Sequence, residues 1–150
     1  MSRVALLDVN VLVALFDPDH VHHETAHDWF AEHRSAGWAT CPLTENGFVR
    51  VVTDARFRAD APRPAAVVTR LRQFCGSGHH QFWPENVSLR DEKRFNLSVA
   101  RGRVQITDVY LLGLAAAAGG SLATFDRTIP LGAVVGATRD MLTVIAPVDG

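Results

Sequence analysis

Four acidic residues stand where predicted secondary-structure elements begin or end. Two of them, Asp8 and Asp126, directly follow apolar runs that predict buried strands. The other two, Glu45 and Asp108, each lie in the first turn of a predicted helix. Strand carboxyl ends and the helix starts that follow them share one edge of an open parallel sheet. We therefore expect all four carboxylates to meet in one crevice.

A cluster of this kind needs a source of positive charge. Two carboxylates about 4 Å apart repel each other by about 4 kcal/mol at an effective dielectric constant near 20. Protonation or a bound cation relieves that repulsion. Hard divalent cations take carboxylate oxygens as ligands and keep several waters for chemistry. The four acids together predict a site for Mg²⁺ or Mn²⁺.

Each acid, taken singly, also has an ordinary structural explanation. Asp8 could begin an Asx turn after its strand. Glu45 and Asp108 could serve only to complement a helix dipole, worth about 0.3–1 kcal/mol. Asp126 could cap a turn or pair with Arg127, its neighbour in the sequence. The metal-site hypothesis therefore depends on the arrangement of all four residues.

The composition predicts one globular, cytoplasmic domain. The chain has 150 residues, of which 47% are hydrophobic, enough to bury a substantial core. No apolar stretch approaches the roughly 18 residues of a membrane span, and the chain begins without a signal-like segment. All but one of the 15 basic side chains are arginine. That excess suits phosphate binding but also arises from GC-rich coding sequence, so it supports a nucleic-acid partner only weakly.

Cysteines and histidines offer other candidate ligands. Cys41 and Cys75 have apolar neighbours and no CxxC spacing, so we expect two free thiols. Four histidines cluster near the start of the second predicted helix: His20, His22, His23 and His27. The segment 23–27 has an H-E-x-x-H pattern, but its apolar neighbours predict histidines that cap the helix or lie on its surface. Adventitious Zn²⁺ or Ni²⁺ binding by this cluster stays open.

The apolar periodicity predicts strands alternating with helices, which is typical of an α/β fold with a mainly parallel sheet. Thr44 and Thr107 are the predicted N-caps of the helices that carry Glu45 and Asp108. The predicted strands cover residues 3–9, 38–41, 80–83, 121–125 and 141–146. The predicted helices cover 10–16, 19–35, a segment after 42–44, 64–74, 91–95 and 108–118.

Four segments in series carry a family resemblance: Leu7–Leu12, Leu43–Arg50, Thr107–Ala115 and Leu122–Arg127. Their order and spacing resemble PIN-domain ribonucleases, specifically the VapC toxins of type II VapBC toxin–antitoxin pairs. The resemblance covers essentially the whole chain. It implies a single PIN domain over residues 1–150, with a three-layer α/β fold in which helices flank a central, mainly parallel β-sheet.

The resemblance also implies an activity and a set of site residues. The activity would be hydrolysis of RNA phosphodiester bonds by a water that Mg²⁺ or Mn²⁺ activates, leaving 5′-phosphate and 3′-hydroxyl ends. The metal-binding and catalytic residues would be Asp8, Glu45, Asp108 and Asp126, in that order along the family motif. The supporting residues would be Asn10, Thr107 and Thr124.

The implied partners are a VapB-like antitoxin, a second copy of the chain in a homodimer, and an RNA substrate, commonly tRNA or rRNA. No membrane partner is implied. Exposed apolar residues such as Trp29 or Phe57 are candidates for the antitoxin groove. A catalytically silent binding module and a DNA-directed structure-specific nuclease stay open as alternatives. The intact acids disfavour the first, and the short chain, without added basic helices, disfavours the second.

Overall fold

A computed structural model describes residues 3–56 and 58–147 of the chain. Phe57, a candidate for the antitoxin groove, lies outside the described residues. Within them, a single sheet contains only parallel strand pairs, in the spatial order β3-β2-β1-β4-β5. The strands are β1 (Ala5–Leu7), β2 (Trp38–Thr40), β3 (His80–Phe82), β4 (Ser121–Thr124) and β5 (Leu142–Val144).

Helices cover both faces of the sheet, which confirms the predicted α/β three-layer fold. The helices are α1 (Val9–Phe16), α2 (His23–His33), α3 (Pro42–Val52), α4 (Pro64–Cys75) and α5 (Ile106–Ala117). Helices α1 to α4 share one apolar cluster with one face of the sheet, and α5 shares a second cluster with the other face. In the part of the chain that is described, no helix is both long enough and apolar enough to cross a membrane.

The central strands are apolar on both sides because both of their faces are buried. Successive strand side chains point to opposite faces, so Leu7 and Trp38 belong to the cluster under α1–α4. Leu6 and Ala39 belong to the cluster under α5. All four side chains are at most 1% exposed. Continuous apolar runs of this kind are the usual sequence of a parallel sheet that is covered on both faces.

The chain changes direction across the sheet between β1 and β4. The first two connections place β2 and β3 successively on one side of β1, and β4 and β5 then form on the other side. Leu7 pairs with Ala123, so Asp8 and Thr124 stand level at the carboxyl ends of two neighbouring strands. Ligand sites of open α/β sheets lie outside such a switch point.

Three predicted local features are wrong. Residues 91–95 form turns instead of a helix, because Phe95 bridges to Val134 and its ring packs on α5. A Cβ atom on Gly113 of α5 would lie 2.3 Å from that ring, so only glycine fits there.

The N-cap of α3 is Cys41, and Thr44 is the third helical residue, whose hydroxyl accepts the Cys41 N–H at 3.0 Å. Helix α5 begins at Ile106, so Thr107 lies inside its first turn.

The predicted free thiols are confirmed. Cys41 is buried and Cys75 is half-buried, and neither forms a disulfide. Their surroundings are apolar on at least one side, since Cys41 belongs to the cluster under α5 and Cys75 packs against the cluster under α1–α4.

Two of the clustered histidines cap the end of α1. His23 Nδ1 lies 2.6 Å from the Ala14 carbonyl oxygen, and His27 Nε2 lies 2.8 Å from that of Leu15. A carbonyl oxygen only accepts hydrogen bonds, so each of these ring nitrogens must carry the hydrogen. The last carbonyls of a helix have no partner within it. His23 and His27 therefore fasten α2 to the end of α1, whereas the sequence predicted that they would cap their own helix or lie on its surface.

Replacing either histidine should destabilise the fold. We expect His23→Ala and His27→Ala each to lower the free energy of unfolding by about 1 kcal/mol, because each leaves a helix-end carbonyl without its donor. Urea unfolding followed by circular dichroism measures the change. His33→Ala is the matched control, since His33 bonds only within α2, to the Trp29 carbonyl. Equal stabilities for His23→Ala, His27→Ala and the control would contradict the capping role.

Candidate metal centre

Asp8 is fixed in place at the switch point. It is the N-cap of α1, and its Oδ1 accepts the Val9 N–H at 2.7 Å. Its Oδ2 accepts a hydrogen bond from the Thr124 hydroxyl at 2.8 Å. Burial raises the pKa of Asp8, the nearby charge of Asp126 adds to that rise, and the two hydrogen bonds oppose it. Asp8 is therefore a buried, oriented carboxyl group with other acids close by.

Asp108 and Asp126 complete a cluster of three acids with Asp8, which we call the aspartate cluster. Burial raises the pKa of Asp108 to about 7, and the charges of Asp8 and Asp126 contribute to the rise. Asp126 accepts hydrogen bonds from the Thr128 N–H at 2.7 Å and the Thr128 hydroxyl at 2.6 Å, and these bonds lower its pKa. Asp108 and Asp126 also lie close enough for each to shift the pKa of the other in opposite directions. Asp108 is therefore the more readily protonated of these two acids.

Thr124 connects two members of the cluster. Its hydroxyl donates to Asp8 and accepts the backbone N–H of Asp126 at 3.1 Å. Of the other two predicted supporting residues, Asn10 is exposed in the first turn of α1 and Thr107 is exposed in the first turn of α5. Their supporting roles stay predictions.

Glu45 lies in the first turn of α3, which follows the neighbouring strand β2, and it has a different set of partners. Its Oε2 accepts a hydrogen bond from the Thr40 hydroxyl at 2.6 Å. The same hydroxyl oxygen lies 2.7 Å from His80 Nε2. One carboxylate oxygen of Glu45, the Cys75 Sγ and one ring nitrogen of His80 lie within 4.8 Å of one another. The structure thus brings Asp8, Asp108 and Asp126 together and gives Glu45 partners of its own.

The sequence analysis missed two residues that position the acids. The Thr40 hydroxyl donates to Glu45 as the Thr124 hydroxyl donates to Asp8. Both threonines follow an alanine at a strand end, and this shared pattern could have predicted the role of Thr40. Glu85 was missed without any such signal. Its carboxylate accepts the Leu43 N–H at 2.6 Å and the Tyr110 hydroxyl at 3.1 Å, and so connects the first turns of α3 and α5.

The chemistry of the aspartate cluster fits a divalent cation. Among the described residues, no arginine, lysine or histidine forms an ion pair with these three aspartates. Burial and the repulsion among them raise the pKa of Asp108 to about 7, so protonation of this acid or a bound cation would relieve the repulsion. A protein site for Mg²⁺ or Mn²⁺ needs several carboxylate oxygens, a net negative charge and partial access to solvent.

The raised pKa of Asp108 makes a prediction about stability. Its ordinary pKa is 3.8 and its pKa in the folded protein is about 7. Between these values the folded protein holds a proton that the unfolded chain has lost, so this contribution to stability falls as the pH rises. In EDTA at pH 8, Asp108→Asn should be more stable than the wild type by about 1 kcal/mol, allowing for solvent screening.

The measurement is urea unfolding in EDTA at pH 5 and pH 8. The difference between Asp108→Asn and the wild type should grow from pH 5 to pH 8. Asp28→Asn, an exposed acid on α2, is the control and should show no such growth. A less stable metal-free Asp108→Asn at pH 8 would contradict the close approach of the three aspartates.

Comparisons with known proteins identify the family of the chain. The PIN domain family matches residues 5–131. Ribonuclease VapC44 of Mycobacterium tuberculosis (strain CDC 1551 / Oshkosh) is 44% identical over 144 residues, which cover 94% of this chain and 99% of that protein. Ribonuclease VapC39 of the same strain is 40% identical over 125 residues, covering 83% of this chain and 90% of that protein.

A third relative is similar over a comparable length. Ribonuclease VapC38 of Mycobacterium tuberculosis (strain ATCC 25618 / H37Rv) is 43% identical over 126 residues, which cover 84% of this chain and 87% of that protein. The family match spans most of the chain, and all three relatives carry the same family name. The chain therefore belongs to the PIN-domain family and, within it, to the VapC ribonucleases.

Proposed function

We propose that this chain is the toxin of a type II toxin–antitoxin pair and acts as a Mg²⁺- or Mn²⁺-dependent endoribonuclease. The observation that carries the proposal is the meeting of Asp8, Asp108 and Asp126 at the switch point of the sheet, where no cationic side chain of residues 3–56 or 58–147 forms an ion pair with them. Its relatives VapC44 and VapC39 are named as ribonucleases. The expected place of action is the cytoplasm, where the RNA is.

The three aspartates would hold the cation, and Glu45 would complete the set of four acids. When bound, the cation lowers the pKa of a water molecule for attack on phosphorus and offsets the charge that develops on the phosphate oxygens. Asp8 needs no rearrangement for this role, because Val9 and Thr124 already fix both of its oxygens. Asp108 would release its proton on binding, since the cation replaces that proton as the source of positive charge.

Thr124 and Thr128 set the orientation of the acids before any ligand arrives. Thr124 holds the side chain of Asp8, and Thr128 holds that of Asp126 through two hydrogen bonds. Preorganised carboxylates of this kind cost little reorganisation during the reaction. This route uses water as the nucleophile, so it does not require the ribose 2′-hydroxyl or a pair of catalytic histidines.

The partners follow from the VapC resemblance, and one surface feature supports them. An open apolar cavity lies between α1, α3 and α4, and its lining includes Leu15, Phe48, Leu71 and Phe74. A cavity of this kind accepts apolar anchors from an amphipathic helix. We propose that it receives the VapB-like antitoxin. Trp29 lies elsewhere, where it stacks on His33.

The VapC resemblance implies a structured RNA, commonly tRNA or rRNA, as the substrate. We propose that the chain cleaves one of these RNAs and that it acts as a homodimer. Cleavage ends mapped across total RNA after brief induction would identify the target. A few sharp sites in one tRNA or rRNA would support the proposal. Cleavage spread evenly over all RNAs would contradict a specific target.

Removing one metal ligand should abolish the activity. We expect Asp8→Asn and Asp108→Asn each to lower the rate of RNA cleavage by at least about 100-fold, because each removes charge that opposes the developing transition-state charge. The measurement is cleavage of total RNA by purified protein in Mg²⁺ or Mn²⁺, with growth inhibition on induction as a second readout. Asp28→Asn should retain full activity.

The same assay separates the competing functions. Cleavage of single-stranded or flap DNA in preference to RNA would favour the structure-specific nuclease. A wild type that cleaves no RNA with either metal, and inhibits growth no more than Asp8→Asn, would favour the silent binding module. Either result would overturn the proposed function.

A further inference from the structure

Three different kinds of metal ligand meet where α3, α4 and β3 come together. A carboxylate oxygen of Glu45, the Sγ of Cys75 and a ring nitrogen of His80 all lie within 4.8 Å of one another. They come from the first turn of α3, the last residue of α4 and the first residue of β3. All three residues are half-buried, so the group is partly shielded from water and still open to an ion. We call this group the Glu45 cluster.

The buried hydroxyl of Thr40 already holds the three ligands together. It donates to Glu45 Oε2 at 2.6 Å, lies 2.7 Å from His80 Nε2 and also contacts the Cys75 thiol. Thr40 itself is fully buried at the end of β2. Ligand atoms around a tetrahedral Zn²⁺ are about 3.3–3.8 Å apart, as bond lengths near 2.0–2.3 Å require. The ligand atoms of the Glu45 cluster lie within 4.8 Å of one another, so they would approach by about 1 Å on binding.

The surrounding core restricts where these ligands can go. Trp38 is 1% exposed, and its ring lies 4.6 Å from the ring of His80 and 4.6 Å from that of Phe74. Trp38 and His80 are also paired in the β2–β3 register. Cys75 follows Phe74 directly, so the same aromatic packing fixes the end of α4. The ligands therefore stand on rigid elements, as a metal site requires.

We propose that Glu45, Cys75 and His80 form a second metal site, which binds Zn²⁺ or a similar transition-metal cation. Thiolate, imidazole and carboxylate are the zinc ligands of proteins, whereas Mg²⁺ takes oxygen ligands. Three protein ligands leave the fourth tetrahedral position for a water or for Thr40. The donor set thus differs from that of the aspartate cluster, which supplies only carboxylate oxygens.

The two titratable nitrogen and sulfur ligands differ in how readily they bind a metal. Burial lowers the pKa of His80, which favours the neutral imidazole that a metal needs. Burial and the charge of Glu45 raise the pKa of Cys75 to about 11, so a metal must displace the thiol proton to bind the sulfur. When the sulfur–metal bond forms, the thiol proton passes to solvent. A neutral thiol is also a poor nucleophile, which excludes a reactive cysteine at neutral pH.

Glu45 links the two sites. A Zn²⁺ ion in the Glu45 cluster would hold the carboxylate away from the aspartate cluster and so inhibit RNA cleavage. This consequence rests on the proposed function, because it assumes that Glu45 assists the Mg²⁺-dependent reaction. Metal binding by the Glu45 cluster does not depend on that assumption.

Cobalt is the probe that tests the site directly. Co²⁺ replaces Zn²⁺ in such sites, and a cobalt–thiolate bond gives a charge-transfer band in the near ultraviolet that aspartate ligands cannot give. We expect the band in the wild type and in Asp108→Asn, and its displacement by Zn²⁺. Cys75→Ser should lose the band. His80→Ala should weaken Co²⁺ binding by at least about tenfold, because loss of a group that only orients a metal ligand already costs that much affinity.

Cys41→Ser is the matched control, because Cys41 is the other free cysteine and belongs to the cluster on the opposite face of the sheet. It should keep the band. Urea unfolding shows that each variant is folded. A wild type without the band, a band that survives in Cys75→Ser, or a band lost in Cys41→Ser would overturn the site and leave a hydrogen-bonded cluster only. None of these readouts uses RNA cleavage, so their failure is separate from failure of the proposed function.

The link through Glu45 has its own test. For each protein, the rate of Mg²⁺-dependent RNA cleavage is measured with saturating Zn²⁺ and without Zn²⁺. We expect Zn²⁺ to lower this rate by a larger factor in the wild type than in Cys75→Ser. Equal inhibition of both proteins would place the zinc effect at the aspartate cluster and overturn the sharing of Glu45, whatever the cobalt spectra show.

Discussion

The repulsion among three carboxyl groups at one edge of the sheet is the constraint on which the site depends. Asp8, Asp108 and Asp126 interact closely enough for each to shift the pKa of another. A pair of full charges at about 4 Å would cost about 4 kcal/mol at an effective dielectric constant near 20. The protein lowers that cost with hydroxyl donors on Asp8 and Asp126, and the raised pKa of Asp108 lets this acid take up a proton more readily. A divalent cation would lower it further.

The scaffold must hold these groups together against their repulsion. It does so with a sheet that is buried on both faces, so the strand ends carrying Asp8 and Thr124 are fixed by two separate apolar clusters. The helix starts are fixed in a different way. Glu85 bonds to the first turns of both α3 and α5, and Gly47 lets α3 approach α1, since a Cβ there would lie 2.7 Å from Val9.

Two threonines at strand ends give the acids different environments. Thr124 holds Asp8 within the aspartate cluster, where oxygen ligands predominate. Thr40 holds Glu45 beside a thiol and an imidazole. A threonine hydroxyl at a strand end therefore orients a carboxylate in both places. Under the two proposals made above, Glu45 would couple a Zn²⁺ site to a Mg²⁺ site.

The sequence by itself determined the α/β class, the apolar strands, the free thiols and the placing of acids at strand ends and helix starts. These features are local: they follow from side-chain periodicity and from the order of elements along the chain. The family motifs, read in series, added the ribonuclease resemblance. The expected meeting of the acids also followed, because a parallel sheet gathers its strand ends at one edge. The strand order that creates the switch point came only from the structure.

Only the tertiary structure decided which groups touch. The bond between Thr40 and His80 spans 40 positions, and that between Thr124 and Asp8 spans 116. Residues 91–95 form turns because Phe95 packs on distant Gly113, a contact that local propensity does not contain. His23 and His27 acquired their role from carbonyls of another helix. Contacts between distant residues depend on packing, and packing overrides local preference wherever the two disagree.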